Sequence, residues 1–437
     1  MTSTIVSESA FSAGFDYDFY GCDEDNVIPG YCSLGPPNVL CEKCSAVMWK
    51  EERVNKNVKH GKPEFSLCCS KGQISLPKTP PTPSYLMQIY NHPVKSRLFK
   101  NRIRLYNTMF AFTSMGGKVD HSINNGSSPY VYRLNGQNHH LFGSLIPDDG
   151  GDPKFCQLYI YDTENKVENR LCWVNVKDGK LIEEEIVKGF LGILEKTNEL
   201  VKYFQMARDR FKEQPVQDHK IVMKVCRSVT GRENFIGPSN EVGARMVEDL
   251  EDTCGERDII IESKTDGLQR ISDIYPKLMA LQYPLLFPTG EDGYHDDIPY
   301  VNTSKYAGKK RKRITMKEFY SYKLQCRLNE SNTPRLGGRL FQQYIVDAFS
   351  VIEQSRLWWF RTHQTTLRND LYSNMQKMLR NGEDNTSNVG KRFILPASFL
   401  GSKRYMQQNF QDALAVCRYI GHPDILLNEN TTYNKLF

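Results

Sequence analysis

Cys41-x-x-Cys44 and the adjacent pair Cys68-Cys69 place four thiols in one short stretch of the chain. A two-residue gap lets a single tight turn aim both thiolates at one tetrahedral ion, and zinc is the natural guest of such a thiolate set. Cys41, Cys44, Cys68 and Cys69 are therefore the metal-ligand candidates, with zinc as a structural cofactor. Adjacent side chains tend to diverge, so Cys32 or His60 is an alternative to one member of the Cys68-Cys69 pair. Two plainer readings stand beside zinc: buried free cysteines, and a redox-active thiol. The 12 cysteines are spread over 437 residues, too dilute for a disulfide scaffold, which points to a reducing compartment.

Lys309-Lys310-Arg311-Lys312-Arg313 is the strongest charge run. A run of this kind serves as a nuclear import signal, as a set of phosphate contacts, or as a plain solvated loop. Tyr300, Tyr306, Phe319, Tyr320 and Tyr322 lie close by. Cations that follow phosphates and rings that stack on bases suit single-stranded DNA, although Phe319 and Tyr322 also have the spacing of core positions on a helix. The net charge of +6 is unevenly placed. Residues 301–424 hold 21 Lys and Arg against 9 Asp and Glu, so the rest of the chain is net acidic. A basic C-terminal third is a candidate footprint for nucleic acid, with an ordinary basic surface as the alternative. Trp358-Trp359 cannot both face one side of a helix, so one indole is expected in the core and the other near the surface. Asn138-His139-His140 lacks a nearby carboxylate or thiol at ligand spacing and reads as a loop.

The elements that must position these groups form an α+β fold: a small cysteine-rich module, a mixed α/β middle and a mainly helical, basic C-terminal region. Residues 1–30 read as a flexible lead and 31–76 as the zinc module. Residues 77–90 read as a stiff linker that starts with Pro77, Pro80, Pro81 and Pro83. In the region 91–300, alternation predicts strands at 130–136, 155–161 and 221–225, and a hairpin over 258–271 turning at Asp266-Gly267. An apolar stripe predicts a helix over 190–211. Pro284 and Pro288 frame Leu285-Leu286-Phe287, for which a short extended, buried segment is expected. Helices follow at 315–328, 340–371 and 403–420, the last stopped by Gly421 and Pro423. Residues 301–424 form the basic helical part and 425–437 a divergent polar tail. No window has the length and apolarity of a membrane span, and the first residues lack the pattern of a secretory signal.

The stretch from Tyr275 to His295, with its Tyr-Pro-Leu-Leu-Phe-Pro core, resembles the N-terminal helicase-like region of Helitron transposases, the rolling-circle DNA transposons of eukaryotes. The resemblance continues through Leu34-Gly35-Pro36-Pro37, Cys41-x-x-Cys44 with Trp49-Lys50-Glu51-Glu52, and Phe65-Ser66-Leu67-Cys68-Cys69 with Gly72. Further blocks are 103–107, 157–162, 258–262, Gly338-Arg339-Leu340-Phe341-Gln342-Gln343-Tyr344 and Arg404-Tyr405-Met406-Gln407-Gln408-Asn409. They run in family order from about Leu34 to Asp424.

Full-length proteins of that family are known for a replication-initiator nuclease with a His-hydrophobic-His motif and catalytic tyrosines, followed by a helicase with a phosphate-binding loop. Neither signature occurs in these 437 residues: there is no His-x-His among the 9 histidines, and Gly237 is followed by Pro238 where a phosphate loop needs Lys. Tyr433 has no histidine pair to activate it. The resemblance thus implies a non-catalytic N-terminal part, truncated before the nuclease. Such a part is expected in the nucleus, where it would bind DNA, single-stranded at transposon ends. The alternatives are an assembly module for a nuclease or helicase partner chain, and an inert fragment.

Overall fold

The computed structural model describes residues 35–57, 61–115, 118–124, 132–135, 140–142, 153–160, 165–178, 182–213, 221–224, 243–246, 259–261, 269–270, 275–301, 311–328, 330–364, 395–400 and 402–421. The chain divides into two units, Met1–Ser350 and Val351–Phe437. Helix predominates, and the strands are short and gathered into small sheets.

The first unit opens with a two-stranded antiparallel sheet, β1 (Val39–Leu40) and β2 (Val47–Met48), in which Val39 faces Met48 and Leu40 faces Val47. Residues 77–83 run without regular structure, and helix α1 (Ser84–Asn91) then starts inside the stretch expected to be linker. Leu86, Ile89 and Tyr90 seat it in the core.

Helix α2 (Lys95–Phe110) buries Phe99, Ile103, Tyr106 and Phe110, positions spaced to share one helical face. That face meets helix α5 (Glu184–Thr197) at Phe190, whose ring centroid lies 5.2 Å from Phe99 and 6.0 Å from Phe110. Tilted and edge-to-face pairs of this kind add about 0.5–1.5 kcal/mol each beyond the area they bury. A helix was expected over 190–211; two helices form, α5 and α6 (Glu199–Glu213), broken at Asn198. Buried Asn198 accepts from Val201 N–H, so its side chain caps the second helix.

Strands β3 (Ser114–Met115), β4 (Lys118–Asp120), β5 (Arg133–Asn135) and β6 (His140–Phe142) lie between α2 and the next helices. The sequence 155–161, expected as a strand, instead contains helix α3 (Gln157–Ile160), which is followed by α4 (Lys166–Asp178). Leu158, Tyr159 and Ile160 are buried in succession, so no outward-facing polar position exists to sustain strand alternation. Tyr159 stacks on Phe112 at 4.6 Å and donates its hydroxyl to Phe110 O.

The expected hairpin over 258–271 does not form. Strand β9 (Ile259–Ile261) pairs with β7 (Ile221–Lys224), which also pairs with β8 (Gly243–Met246). Strand β10 (Gln269–Arg270) pairs with β6 instead. Each run found a longer-range partner, which local turn chemistry cannot foresee.

Helix α7 (Leu278–Gln282) precedes the proline-framed segment. There Leu285 and Leu286 are buried as expected, but the chain turns rather than extends: Leu286 N–H and Phe287 N–H both donate to Tyr283 O at 3.0 Å. A proline's fixed φ suits the second position of a turn as well as an extended chain, and the buried acceptor selects the turn. The loop beyond is anchored by Lys277, which is almost fully buried and reaches Gly290 O at 2.7 Å and Asp292 Oδ1 at 2.8 Å.

Helix α8 (Met316–Lys323) is shorter than expected and begins at a capping box: Glu318 N–H donates to Thr315 Oγ1 and Thr315 N–H to Glu318 Oε2. Helices α9 (Thr333–Leu336) and α10 (Arg339–Thr362) follow, α10 contributing its first part to one unit and its remainder to the other.

In the second unit Phe360 of α10 packs edge-on against Phe399 at 5.9 Å, and Arg356 donates to Ser398 O. Helix α11 (Lys403–Ile420) is capped by Ser402, which accepts from Tyr405 N–H, and ends at Gly421 with φ of 102°. No helix among the described residues is long and apolar enough to cross a membrane.

Candidate metal centre and nucleic-acid interface

The sulfurs of Cys41, Cys44, Cys68 and Cys69 lie within 4.8 Å of one another, grouped suitably for a metal ion. Cys41 Sγ and Cys69 Sγ are 3.8 Å apart, and Cys68 Sγ and Cys69 Sγ 3.7 Å. A zinc–sulfur bond of about 2.3 Å gives a tetrahedron with edges of about 3.8 Å, so these separations fit the group.

Local backbone explains how each pair converges. Ser45 takes a positive φ of 57° and returns its N–H to Cys41 O, closing a turn across Cys41-x-x-Cys44. After the adjacent pair, Ser70 and Lys71 both adopt positive φ, so the chain reverses at once and Gly72 N–H comes back to Cys69 Sγ at 3.2 Å. Neighbouring side chains are expected to diverge, yet the two sulfurs of this pair lie together. Cys32 and His60, the alternative ligands, lie outside the described residues.

Hydrogen bonding divides the thiols. Bonds with Cys44, then Cys68 and Cys69, hold the Cys41 thiol far below its ordinary range; bonds with Cys41 and Cys44 hold Cys68 and Cys69 far above it. Cys44 is pushed up by Cys41 but drawn down by Cys68 and Cys69, and comes to about 7. Four sulfurs this close must share protons unless a cation replaces them, so metal binding here would release protons.

The cysteine segment is joined to distant sequence. Val47 N–H donates to Cys326 O at 2.8 Å, and Arg327 Nη2 donates to Cys68 O at 3.3 Å. Arg327 is 3% exposed, and its guanidinium carbon sits 3.5 Å above the centroid of the Tyr322 ring.

Of the basic run, Lys309 and Lys310 lie outside the described residues. Arg311 and Lys312 are exposed, while Arg313 pairs with Asp297 at 2.7 Å. The nearby rings are not free to stack on bases: Phe319, Tyr320 and Tyr322 are buried, and Tyr300 donates to Glu318. Tyr306 lies outside the described residues.

The tryptophan pair departs from expectation. Trp358 is 66% exposed and Trp359 45%, so neither indole enters the core. The buried face of α10 at this level is supplied by Phe360, and Trp359 stacks on His363 at 4.5 Å with Arg361 alongside in sequence.

Residues 319–431 match the Helitron helicase-like domain at N-terminus. The Helitron-like match covers less than half of the chain and takes in the blocks at 338–344 and 404–409. It reaches past Asp424. It includes most of α8, all of α9, α10 and α11, and thus both Arg327 and the tryptophan pair. The cysteine segment precedes the matched residues but bonds to Cys326 and Arg327 within them. No curated protein matches the chain.

Sequence reasoning missed a buried polar cluster. His140, read as a loop residue, lies in β6 with its Nε2 2.8 Å from Asp347 Oδ2; both side chains are at most 2% exposed. Asp347 Oδ2 also accepts from Tyr283 OH at 2.9 Å. Gln282 Oε1 accepts from Thr113 Oγ1 and faces His140 Nδ1 at 3.2 Å. The available signal was Asp347 itself, a lone carboxylate on the apolar stripe of Leu340, Tyr344 and Ala348.

Proposed function

We propose that this chain is a non-catalytic, zinc-stabilised part of a Helitron-like transposon protein that binds single-stranded DNA at transposon ends in the nucleus. The observation that carries the reading is the exposed Trp358-Trp359 pair, set beside Arg361 and His363 within the basic third of the sequence. Exposed indoles are costly to leave in water, and base stacking on an aromatic ring is worth about 1–3 kcal/mol per base. Arg311, Lys312, Lys403 and Arg404 are exposed cations of the same region, suited to phosphates. Zinc is supported by the sulfur separations and by the all-thiolate donor set. Its role is structural, since four protein ligands leave no open position for substrate.

The test is a fluorescence titration of the whole chain with single-stranded and duplex oligonucleotides at several salt concentrations. Quenching by the single strand that weakens steeply with salt, and is lost in Trp358→Leu, is expected. Absence of binding at low salt, or quenching unaltered in Trp358→Leu and Trp359→Leu, would overturn it.

A second reading, a module that assembles a nuclease or helicase partner chain, is favoured by one feature. Helix α11 exposes Met406, Phe410 and Leu414 at intervals of one helical turn. Binding to such a partner with no affinity for DNA would select it.

A further inference from the structure

Between Glu64 and Asp120 the sequence holds no Asp or Glu, yet eight Lys and Arg fall in that interval. Five of them, Lys95, Arg97, Lys100, Arg102 and Arg104, lie on helix α2, which carries no acidic residue. The sequence outside 301–424 is net acidic as a whole, so α2 is a cationic element set in an acidic background.

The fold divides α2 lengthwise. Phe99 and Phe110 meet Phe190 of α5, and Phe99 also meets Tyr90 of α1 at 5.4 Å. The opposite face is left to Arg97, Asn101 and Arg104, which follow one another at intervals of one helical turn, with Lys100 at their flank. Arg97 and Asn101 are exposed, and Lys100 and Arg104 half-buried. Among the described residues no ion pair or hydrogen bond holds Arg97. The Arg104 guanidinium lies 5.5 Å over the Tyr132 ring, a contact that orients it. Lys95 is committed to Glu183 and Glu185 at the start of α5 and stands outside this face.

We infer that this face of α2 binds duplex DNA, with Arg97, Lys100 and Arg104 meeting backbone phosphates. A helix about 10–12 Å across suits a major groove about 12 Å wide, whose rims are lined by phosphates. Val94 and Leu98 are 69% and 42% exposed beside the cations, and apolar side chains suit the thymine methyl group in that groove. A single strand is held by rings on which bases stack, and every ring of α2 is buried. An anionic membrane takes up a helix by its apolar face, and that face of α2 is already packed on Phe190. None of these residues belongs to the tryptophan pair or the basic run, so the inference does not rest on the reading above.

The experiment is an anisotropy titration of the whole chain with a fluorescein-labelled, random-sequence duplex oligonucleotide from about 50 to about 200 mM salt. Each phosphate contact contributes roughly −0.9 to the slope of log affinity against log salt. Arg97→Gln should therefore flatten the slope by roughly 0.9, and combined Arg97→Gln, Lys100→Gln and Arg104→Gln by roughly 2.7, with affinity down at least about tenfold at the lower salt. Because Arg97 has no partner in the fold to lose, its single variant reads binding rather than folding. Tryptophan quenching by single-stranded DNA should persist in both variants. An unchanged slope and affinity in both would overturn the inference, as would a parent chain that does not bind the duplex. Equal loss of single-strand and duplex binding would overturn the duplex assignment, and so would capture of phosphatidylserine vesicles in place of the duplex. Loss of tryptophan quenching in Trp358→Leu with the duplex slope unaltered keeps the two proposals separable.

Discussion

Asp347→Ala should be among the most damaging single substitutions in the first unit. Asp347 is 1% exposed and has two partners from elsewhere in the sequence, the His140 ring at 2.8 Å and the Tyr283 hydroxyl at 2.9 Å. With Gln282 Oε1 already accepting from Thr113, the premise of the prediction is that His140 carries a proton on each ring nitrogen, one toward Gln282 and one toward Asp347. Alanine leaves that ring without its counter-charge and the tyrosine hydroxyl without its acceptor. Breaking a buried ion pair from one side costs about 3–5 kcal/mol. At about 2 °C per kcal/mol, a midpoint figure of roughly 4 kcal/mol lowers the melting temperature by roughly 8 °C. Chemical and thermal unfolding of the whole chain, followed by tyrosine absorbance and circular dichroism, would measure it. The double variant with His140→Ala should be less damaged than the sum of the singles by about 2 kcal/mol, because no lone charge remains buried. A cost under about 1 kcal/mol for Asp347→Ala, or strict additivity in the cycle, would refute the reasoning.

Purified protein should carry one zinc ion per chain by elemental analysis, and Cys69→Ser should lose it, since that sulfur contacts both Cys41 and Cys68. Protease cleavage within residues 35–76 should rise in the same variant and on chelation. Replacing Arg327 with Met should also weaken zinc retention, by about 10–100-fold, because its bond to Cys68 O supports a ligand's backbone. Gly337→Ala should cost about 1–3 kcal/mol in unfolding experiments, since the added carbon would sit 2.4 Å from Leu286 Cδ2 and 3.0 Å from Pro334 O.

Groups of neighbouring residues carried their own information. The thiol pair at 41 and 44, the helical stripe and glycine stop of 403–420, and the burial of Leu285 and Leu286 all follow from spacing and residue type. These features depend on local geometry, which short sequence contains. Features decided by distant partners were not legible. Cys68 and Cys69 bring their sulfurs together, and Ser70 and Lys71 take positive φ, neither of which their residue types announce. Residues 155–161 alternate like a strand but become a helix because Phe110 and Phe112 receive Tyr159.

The sequence by itself determined the four candidate thiols, the basic third and the likeness of residues 319–431 to the Helitron helicase-like domain, because residue type, net charge and ordered motifs are properties of residues in line. Only the tertiary structure decided that both tryptophans face water and that His140 meets Asp347. Exposure and ion pairing are set by what packs opposite a side chain, and residues more than two hundred positions apart supply that opposite face.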